Sequence, residues 1–253
     1  MIPLVHDFTG RTVLVFGGGT VGARKARRFA DEASVVVVSP AFDGFDTGDE
    51  AEVREATPET WASAGESDDR APGDERAPGI ELVRDAPTPD GVERWIDNVD
   101  PALVVAATDS AEVNEAAATA ARERNVLVNR TDRSGGRDDV GSVVVPATIE
   151  DGSVTLAVTT GGASPALSKY LRERFGGDIE GAGAMAALTR DLRADLKASD
   201  LTPAERRDAV RRVVRSSRVW KALRTGTTKP RRVAEDVIGT DIGEVPDSKG
   251  GEP

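Results

Sequence analysis

A glycine-rich motif near the start of the chain has the residue types and spacing of a nucleotide site. Gly17, Gly19 and Gly22 form a G-x-G-x-x-G pattern that follows the β-branched run Thr12–Phe16 and precedes a helical pattern. In this context the glycines permit a tight turn, close approach of the backbone to a pyrophosphate, and close packing of helix on strand. The free N–H groups of the helix N-terminus would face the phosphates. The motif predicts nucleotide binding, and the alternative is a glycine-rich turn without a ligand.

Further residues predicted to contact a nucleotide lie at the ends of neighbouring elements. Thr20 and Val21 open the helix after the glycine motif. Thr108 ends the apolar run that begins at Leu103, and Asp109 follows it. For Asp109 the alternative is a place at the start of the next helix, where aspartate is a favoured cap.

The end of the second predicted strand bears on the choice of cofactor. It reads Ser39, Pro40, Ala41, without an acidic residue at the usual ribose-binding place. No arginine is there in the sequence to favour a 2′-phosphate. We therefore predict NAD as the cofactor, with Pro40 and Ala41 lining its adenosine end.

A carboxylate is the candidate for acid–base chemistry. Asp132 follows the predicted strand Val126–Asn129, at the carboxyl end of a parallel strand, where open α/β sheets bind ligands. A carboxylate in a partly dry cleft could act as a base. The alternative is a loop aspartate that accepts hydrogen bonds from nearby backbone N–H groups. Position in the sequence alone leaves both alternatives open.

Alternating strand and helix patterns predict the fold that positions these residues. Continuous apolar runs indicate buried parallel strands, and they alternate with helical patterns up to about residue 131, which predicts a doubly wound parallel sheet. The predicted strands are Thr12–Phe16, Ser34–Ser39, Gly79–Arg84, Leu103–Thr108 and Val126–Asn129, and the predicted helices are Thr20–Ala33 and Ala111–Arg124.

The pattern changes after residue 131. The runs Ser142–Pro146 and Val154–Thr159 flank a turn and predict a hairpin. Ser164 is predicted to cap a helix that has Pro165 at its first position. Residues 181–224 are helical in pattern and basic, with eleven Lys/Arg and five Asp/Glu, and beyond residue 225 the periodicity is lost.

The composition excludes several kinds of site. The chain has 253 residues, no cysteine and one histidine, His6, so disulfides, thiolate metal sites and cysteine nucleophiles are excluded. A permanent metal site is not expected for the same reason. The sequence shows no signal peptide and no apolar run long enough to span a bilayer, so a cytoplasmic location without a membrane partner is expected.

Charge is distributed unevenly along the chain. The net charge is −11, and residues 43–79 hold twelve Asp/Glu and three Arg. This segment is predicted to be a surface insertion, disordered in part. The basic stripe Arg206–Arg218 lacks interleaved aromatic residues, so nucleic-acid binding is not expected. The stripe either faces an anionic substrate or is a solvated helix face paired with acidic neighbours.

Several motifs in this order resemble one family of enzymes. They are the lead-in Met1–Gly10, the continuation Gly22–Ala26, Ala106–Asp109 with Asn114, Val128–Asp132 and Thr159–Leu167. Together they resemble the precorrin-2 dehydrogenase and sirohydrochlorin ferrochelatase family, which also forms the N-terminal module of siroheme synthase. The resemblance covers roughly residues 1–225 apart from the acidic segment. No methyltransferase domain follows, which is similar to the stand-alone form.

The resemblance implies an activity and an architecture. Such proteins oxidise precorrin-2 to sirohydrochlorin with NAD⁺, and some also insert Fe²⁺. The implied α/β fold is an N-terminal Rossmann domain, a small α+β dimerisation domain and a helical C-terminal domain, in a homodimer. We expect the Rossmann domain at 1–131, the dimerisation and tetrapyrrole domain at 132–180, the helical domain at 181–225 and a weakly ordered tail at 226–253. An alternative of another class is a non-catalytic NAD(H)-sensing module.

The resemblance also implies roles for individual residues. Asp132 is the implied catalytic carboxylate, since removal of hydride and protons from a reduced tetrapyrrole needs a nearby base. The substrate carries eight carboxylates, so a cationic cleft is expected around it. The residues implied to line the tetrapyrrole site are Thr160, Gly161, Ser164, Arg130 and Lys169, with Arg133, Arg137 and Arg172 nearby.

Overall fold

The computed structural model describes residues 2–45, 53–65, 78–133, 139–226 and 229–242. The described chain divides into two compact units. The first comprises residues up to Val145 together with Gly161–Ala163, and the second comprises Pro146–Thr160 and the residues from Ser164 onward. Within the described ranges, no helix combines the length and apolar character that crossing a membrane requires.

The first unit is built on a six-stranded parallel sheet. The strands are β1 (Thr12–Phe16), β2 (Ser34–Ser39), β3 (Val53–Glu55), β4 (Gly79–Arg84), β5 (Leu103–Ala106) and β6 (Leu127–Arg130). Their order is β3-β4-β2-β1-β5-β6, and every neighbouring pair is parallel. Strands β1, β2 and β4 have the predicted bounds, because a central strand covered on both faces needs a continuous apolar run. The predicted doubly wound α/β fold is confirmed.

Helices cover both faces of this sheet. They are α1 (Thr20–Phe29), α2 (Pro58–Gly65), α3 (Pro89–Val99) and α4 (Ala111–Glu123). Alternate strand residues point to opposite faces, so Val13 and Val15 pack with Ala26 of α1, whereas Leu14 and Phe16 pack on the face that carries α2, α3 and α4. The sheet is thereby buried on both sides.

The prediction of a surface insertion at residues 43–79 is wrong for its described part. Residues 53–65 contain β3, which extends the edge of the sheet, and α2. Trp61 of α2 is 5% exposed and packs edge-on against Trp95 of α3, with ring centroids 5.9 Å apart. Burial of one large aromatic ring fixes this segment despite its acidic surroundings. Residues 46–52 and 66–77 lie outside the described residues.

The second unit begins with a hairpin whose second strand is the predicted one and whose first strand is not. Strands β7 (Ala147–Asp151) and β8 (Val154–Val158) are antiparallel. The predicted hairpin strand Ser142–Pro146 instead lies beside β6, where Ser142 forms a parallel bridge with Val128. The N–H of Val143 donates to the carbonyl of Val128 at 2.8 Å. The backbone of this run therefore hydrogen-bonds to the edge of β6, and the hairpin starts only after it.

Five helices within the described ranges complete the second unit. They are α5 (Pro165–Gly176), α6 (Ala182–Lys197), α7 (Pro203–Arg215), α8 (Ser217–Thr225) and α9 (Pro230–Ile242). Helix α9 contradicts the predicted loss of structure beyond residue 225, because Val233, Ala234 and Ile238 are buried in one cluster with residues of α6, α7 and α8. The predicted division at residue 180 into a dimerisation and a helical domain stays a prediction.

Candidate functional site

The glycine motif forms a turn in which Gly17 and Gly22 have no room for a side chain. Gly17 has φ +110°, and a Cβ atom there would lie 2.4 Å from the carbonyl oxygen of Ala107. A Cβ on Gly22 would lie 1.9 Å from the carbonyl oxygen of Gly17. Both positions are therefore closed to larger residues, Gly17 by conformation and contact and Gly22 by contact alone. The turn brings the loops after β1 and β5 into direct backbone contact.

Gly19 differs from the other two glycines of the motif. A Cβ on Gly19 would meet nothing within 4 Å, so the backbone faces open space there. Gly19 is the N-cap of α1 and makes no side-chain cap, and the first turn of α1 has no acidic residue. The exposed residues Thr20 and Val21 begin the helix. Uncapped N–H groups, a helix dipole and free space together fit a diphosphate group.

The strand order places this motif at the switch point of the sheet. Strand β1 lies between β2 and β5. The strands that follow β1 in sequence are first added on its β2 side and then, from β5 onward, on its other side, so the strand order reverses at β1. In open α/β sheets ligands bind in the crevice outside the carboxyl ends of the strands at this point. The predicted residues that follow β1, β2, β5 and β6 therefore share one edge of the sheet.

Thr108 is held at this edge by a buried asparagine. Asn114 of α4 is 1% exposed, and its amide N–H donates to the Thr108 carbonyl at 2.8 Å. Its carbonyl oxygen accepts from the Thr108 N–H at 3.1 Å and from the Thr108 hydroxyl at 2.8 Å. The cap of α4 is Ser110, which accepts from the N–H of Val113, so Asp109 is exposed and is not the cap.

The loop after β2 packs onto the glycine motif. A Cβ on Gly18 would lie 2.2 Å from the carbonyl oxygen of Ala41, and the N–H of Gly44 donates to the carbonyl of Gly18 at 3.0 Å. Pro40 and Ala41 thus lie beside the glycine loop, and their contact with adenosine stays a prediction.

An arginine that sequence reasoning missed also reaches this loop. Arg84, the last residue of β4, donates to the carbonyl of Pro40 at 2.9 Å and forms an ion pair with Glu55 of β3 at 2.7 Å. Its guanidinium stands over the ring of Phe42, 5.6 Å from the centroid. The residues that follow β2 include no arginine, as the sequence shows, but the neighbouring strand β4 brings Arg84 to this position. A shallow depression of about 590 Å³ beside this pair is lined by Pro40, Glu55, Thr57, Thr60, Arg84 and Asp85 among others.

Asp132 is paired with an arginine of its own strand end. Arg130 donates from Nε to Oδ1 of Asp132 at 3.0 Å and from Nη2 to Oδ2 at 2.6 Å. The Arg130 side chain is only 9% exposed and also contacts Glu115 of α4, which in turn pairs with Arg133 at 2.7 Å. Two carboxylates thus occupy the guanidinium that was predicted to face the substrate.

The ion pair sets the protonation state of Asp132. The two hydrogen bonds from Arg130 lower the pKa of Asp132 below 3.8, and they outweigh the opposing effect of burial. Asp132 is consequently an ionised carboxylate throughout the neutral range. The same contact raises the pKa of Arg130. A partly exposed anion thus lies at the edge of the sheet that carries the glycine motif.

Four residues predicted to bind substrate belong to the turn before α5 and to α5 itself. The Thr160 hydroxyl accepts from the N–H of Ser164 at 3.1 Å, and the Ser164 hydroxyl caps α5 by accepting from the N–H of Leu167, as predicted. Gly161 adopts φ +66°. Lys169 is exposed and is 3.9 Å from Glu173 one turn along α5. Thr160, Ser164 and Lys169 are residues of the second unit, whereas Asp132 is a residue of the first.

The remaining predictions concern His6, a permanent metal site, Arg137 and Arg172. His6 is exposed near the N-terminus and is 6.1 Å from the ring of Phe8. The described residues include no group of three or more metal-ligating side chains. Arg137 lies outside the described residues, and Arg172 is an exposed residue of α5.

Comparison with known proteins identifies the family. A family model described as putative NAD(P)-binding matches residues 4–147. The chain belongs to this NAD(P)-binding family. The match covers β1 to β6 and the glycine motif.

Individual relatives match over nearly the whole chain. The chain is 29% identical to precorrin-2 dehydrogenase of Methanosarcina barkeri over 94% of both sequences. It is 30% identical to siroheme synthase of Stutzerimonas stutzeri over 96% of this chain and 46% of the synthase. The chain thus spans less than half of that siroheme synthase. The solved structure of SirC, a precorrin-2 dehydrogenase, has the same fold, with a TM-score of 0.59 and 20% identity over 94% of this chain and 98% of SirC.

Replacement of Gly19 by alanine separates binding from folding. The new methyl group meets no protein atom, so the temperature of unfolding should stay unchanged while NADH binding weakens about tenfold, the loss of one charge-assisted hydrogen bond to phosphate. Titration of NADH fluorescence checks this. Gly22→Ala is the control and should lower the unfolding temperature, since its methyl group collides with the Gly17 carbonyl. Equal effects of the two variants on unfolding would contradict this account.

Replacement of Arg130 by glutamine should make the free energy of unfolding less dependent on pH in the acidic range. The lowered pKa of Asp132 contributes stability at neutral pH, which is lost as the pH falls through that pKa. We expect Arg130→Gln to unfold about 1–2 kcal/mol more easily at pH 7, and the gap to narrow below pH 3.8. Urea unfolding at several pH values measures it. Arg133→Gln, at a half-exposed arginine, is the control, and a gap independent of pH would refute the role of Asp132.

Proposed function

We propose that this protein is an NAD-dependent dehydrogenase that oxidises precorrin-2 to sirohydrochlorin. The observation that carries the proposal is an ionised carboxylate, Asp132, at the same sheet edge as the open glycine loop, in a chain that is similar to a precorrin-2 dehydrogenase over 94% of both sequences. NAD⁺, when bound, accepts a hydride from the substrate.

The first task of the protein is to hold the cofactor at the edge of the sheet. The N–H groups at the start of α1 bind the diphosphate above Gly19. The loop of Pro40 and Ala41 contacts the adenosine end, and the Thr108 segment, locked by Asn114, forms the other wall of the crevice. These are rigid backbone surfaces, which hold a ligand with little loss of conformational entropy.

The second task is to remove a proton from the reduced tetrapyrrole. We assign this to Asp132, which is deprotonated at neutral pH and can therefore accept a hydrogen bond or a proton, with the hydrogen bonds from Arg130 making it a weaker base than a free carboxylate. Arg130 acts as its positioning residue, because its Nε and Nη groups already pair with the carboxylates of Asp132 and Glu115. Thr160, Gly161, Ser164 and Lys169 are proposed to bind the tetrapyrrole and its carboxylates.

We propose NAD rather than NADP because Arg84, which donates to the carbonyl of Pro40 at the end of β2, is already paired. Glu55 occupies Arg84 at 2.7 Å and would repel the 2′-phosphate of NADP. The pair is exposed, with Arg84 at 44% and Glu55 at 73%, so its contribution is modest. Glu55 would thus act as a selectivity residue supplied by the neighbouring edge strand.

We also propose that the chain forms a homodimer through α5. This helix has no buried residue, although it carries Leu167, Tyr170, Leu171 and Phe175. Leu167 is 46% and Tyr170 54% exposed, and such a face is typical of a protein interface. A second copy of the chain would cover it. A monomer mass in sedimentation equilibrium at micromolar concentration would refute the dimer.

Iron insertion remains a second proposal for the same site. Asp132 is an anion with a lowered pKa, which suits transient contact with Fe²⁺ as a substrate or with pyrrole protons. Incubation of sirohydrochlorin with Fe²⁺ and without NAD⁺ should then form siroheme faster than the uncatalysed reaction.

A cytoplasmic location and the absence of nucleic-acid partners likewise stay proposals.

The activity itself is tested with precorrin-2 and NAD⁺. The protein should produce sirohydrochlorin and NADH in equal amounts, followed by absorbance. Asp132→Asn should lower the rate at least about 100-fold while NADH still binds. Asp90→Asn, at an exposed carboxylate of α3, is the matched control and should leave the rate unchanged. Binding of NADH without turnover would favour the sensing module instead.

The choice of cofactor is tested at Glu55. Glu55→Gln frees Arg84 for a 2′-phosphate, so NADP⁺ should bind about fivefold more tightly relative to NAD⁺, which corresponds to an exposed ion pair of about 1 kcal/mol. Competition against NADH fluorescence measures the ratio. The double variant Glu55→Gln/Arg84→Gln should return the ratio to that of the wild type. An unchanged ratio in Glu55→Gln would show that Arg84 does not face the 2′ position.

A further inference from the structure

A cationic groove on the helical part of the second unit has no place in the dehydrogenase site. It lies between α6 and α7 and encloses about 620 Å³, a size typical of small-molecule sites. Its basic residues recur at helical spacing and therefore project from one face of each helix. They are Arg193, Lys197, Arg206, Arg207, Arg211 and Arg215.

Most of these charges are not neutralised within the described chain. Arg211 pairs with Asp208 at 2.5 Å, and Arg206 donates to the carbonyl of Leu201 at 2.8 Å. The other four, among them Arg193 and Arg207, make no ion pair or hydrogen bond with any described residue. In a chain with a net charge of −11, a groove with unpaired cations is a local site of positive potential that attracts anions. The alternative of a solvated face paired with acidic neighbours therefore holds for Arg211 alone in this groove.

The floor of the groove is apolar. Leu196 is half-buried, Val210 is 7% exposed and Val214 is 40% exposed, and all three line the groove between the basic side chains. A ligand that fits must therefore present an apolar face to these residues and several negative charges to the rim. Simple inorganic anions lack the apolar face.

The chemistry of arginine narrows the class of ligand further. Guanidinium groups bind carboxylates in a bidentate manner and stack on aromatic faces. An extended acidic peptide would need backbone partners of the kind a sheet edge supplies, and two helix faces offer none. Single-stranded nucleic acid would need aromatic side chains for base stacking, and the residues lining the groove include none. A flat macrocycle with carboxylates around its rim meets both demands.

We propose that the α6–α7 groove is a second binding site, for a flat polycarboxylate macrocycle of the class to which the substrate and product of the proposed function belong. The ligand class rests on that proposed function. The groove shares no residue with the glycine loop, with Asp132 or with the turn at Thr160. It would bind the macrocycle by charge and stacking, without taking part in the reaction.

The test uses the full chain and uroporphyrin, a stable porphyrin with eight carboxylates, measured by fluorescence and equilibrium dialysis. The variant Arg193→Glu/Arg207→Glu reverses two unpaired charges in the groove, and Arg190→Glu/Arg218→Glu makes the same charge change on exposed arginines outside it. The groove variant should bind uroporphyrin about tenfold more weakly or lose one bound equivalent, while the control changes about twofold or less. Arg193→Gln/Arg207→Gln gives a milder change if charge reversal impairs folding.

Several results would overturn the groove as a macrocycle site. An equal loss in both double variants would show attraction to net charge alone. Unchanged binding in the groove variants would exclude the groove, and displacement of the groove-bound porphyrin by an equal concentration of a glutamate decapeptide would make it a peptide site. The assay with precorrin-2 and NAD⁺ is independent, because the groove variants should keep that activity. Failure of the wild type in that assay would refute the proposed function and leave the porphyrin result standing.

Discussion

The close approach of three backbone segments holds the candidate site together. The Gly17 backbone contacts the Ala107 carbonyl, and the loop after β2 contacts Gly18 and Gly19. These contacts leave no room for side chains, so the loops after β1, β2 and β5 form one continuous backbone surface. Such a surface has few soft degrees of freedom. Every side chain with a proposed role at the sheet edge is positioned relative to it.

At the end of β6, ion pairs rather than backbone contacts hold the side chains in place. Arg130 is nearly buried, which would be costly for an unpaired cation, and it is balanced by Asp132 and Glu115. The cost of burying the charge is offset by these two carboxylates, and the result is a carboxylate of fixed orientation. The glycine loop presents uncharged backbone donors, whereas the end of β6 presents a carboxylate, Asp132, that is held in an ion pair.

The parts of the fold that could be predicted are those that follow from local pattern. Strands β1 and β2 are continuous apolar runs, and the cap at Ser164 is a local hydrogen bond. Strand β3 was not predictable in this way, because an edge strand of three residues, Val53–Glu55, has almost no apolar signal. The apolar residues of α9 have helical spacing, but the sequence does not show that they are buried against α6, α7 and α8, and this burial is what holds α9 in the folded unit.

The site shows the same division. Gly17, Gly19 and Gly22 are recognisable because they recur at a fixed local spacing, between an apolar run and a helical pattern. Arg84 could not be placed without the strand order, since β4 becomes the neighbour of β2 only in the folded sheet. The pairing of Arg130 with Glu115 likewise depends on where α4 crosses the sheet. Contacts between elements that are distant in sequence could therefore not be predicted from local sequence patterns.

Helix α9 has a consequence for the order of folding during synthesis. All six strands of the first unit lie between Thr12 and Arg130, so that sheet can assemble while later residues are still being translated. The helical core of the second unit lacks Val233, Ala234 and Ile238 until α9 emerges. Until then, apolar surfaces of α6, α7 and α8 stay open to water. The nascent chain thus carries an incomplete helical core beside a finished nucleotide-binding sheet.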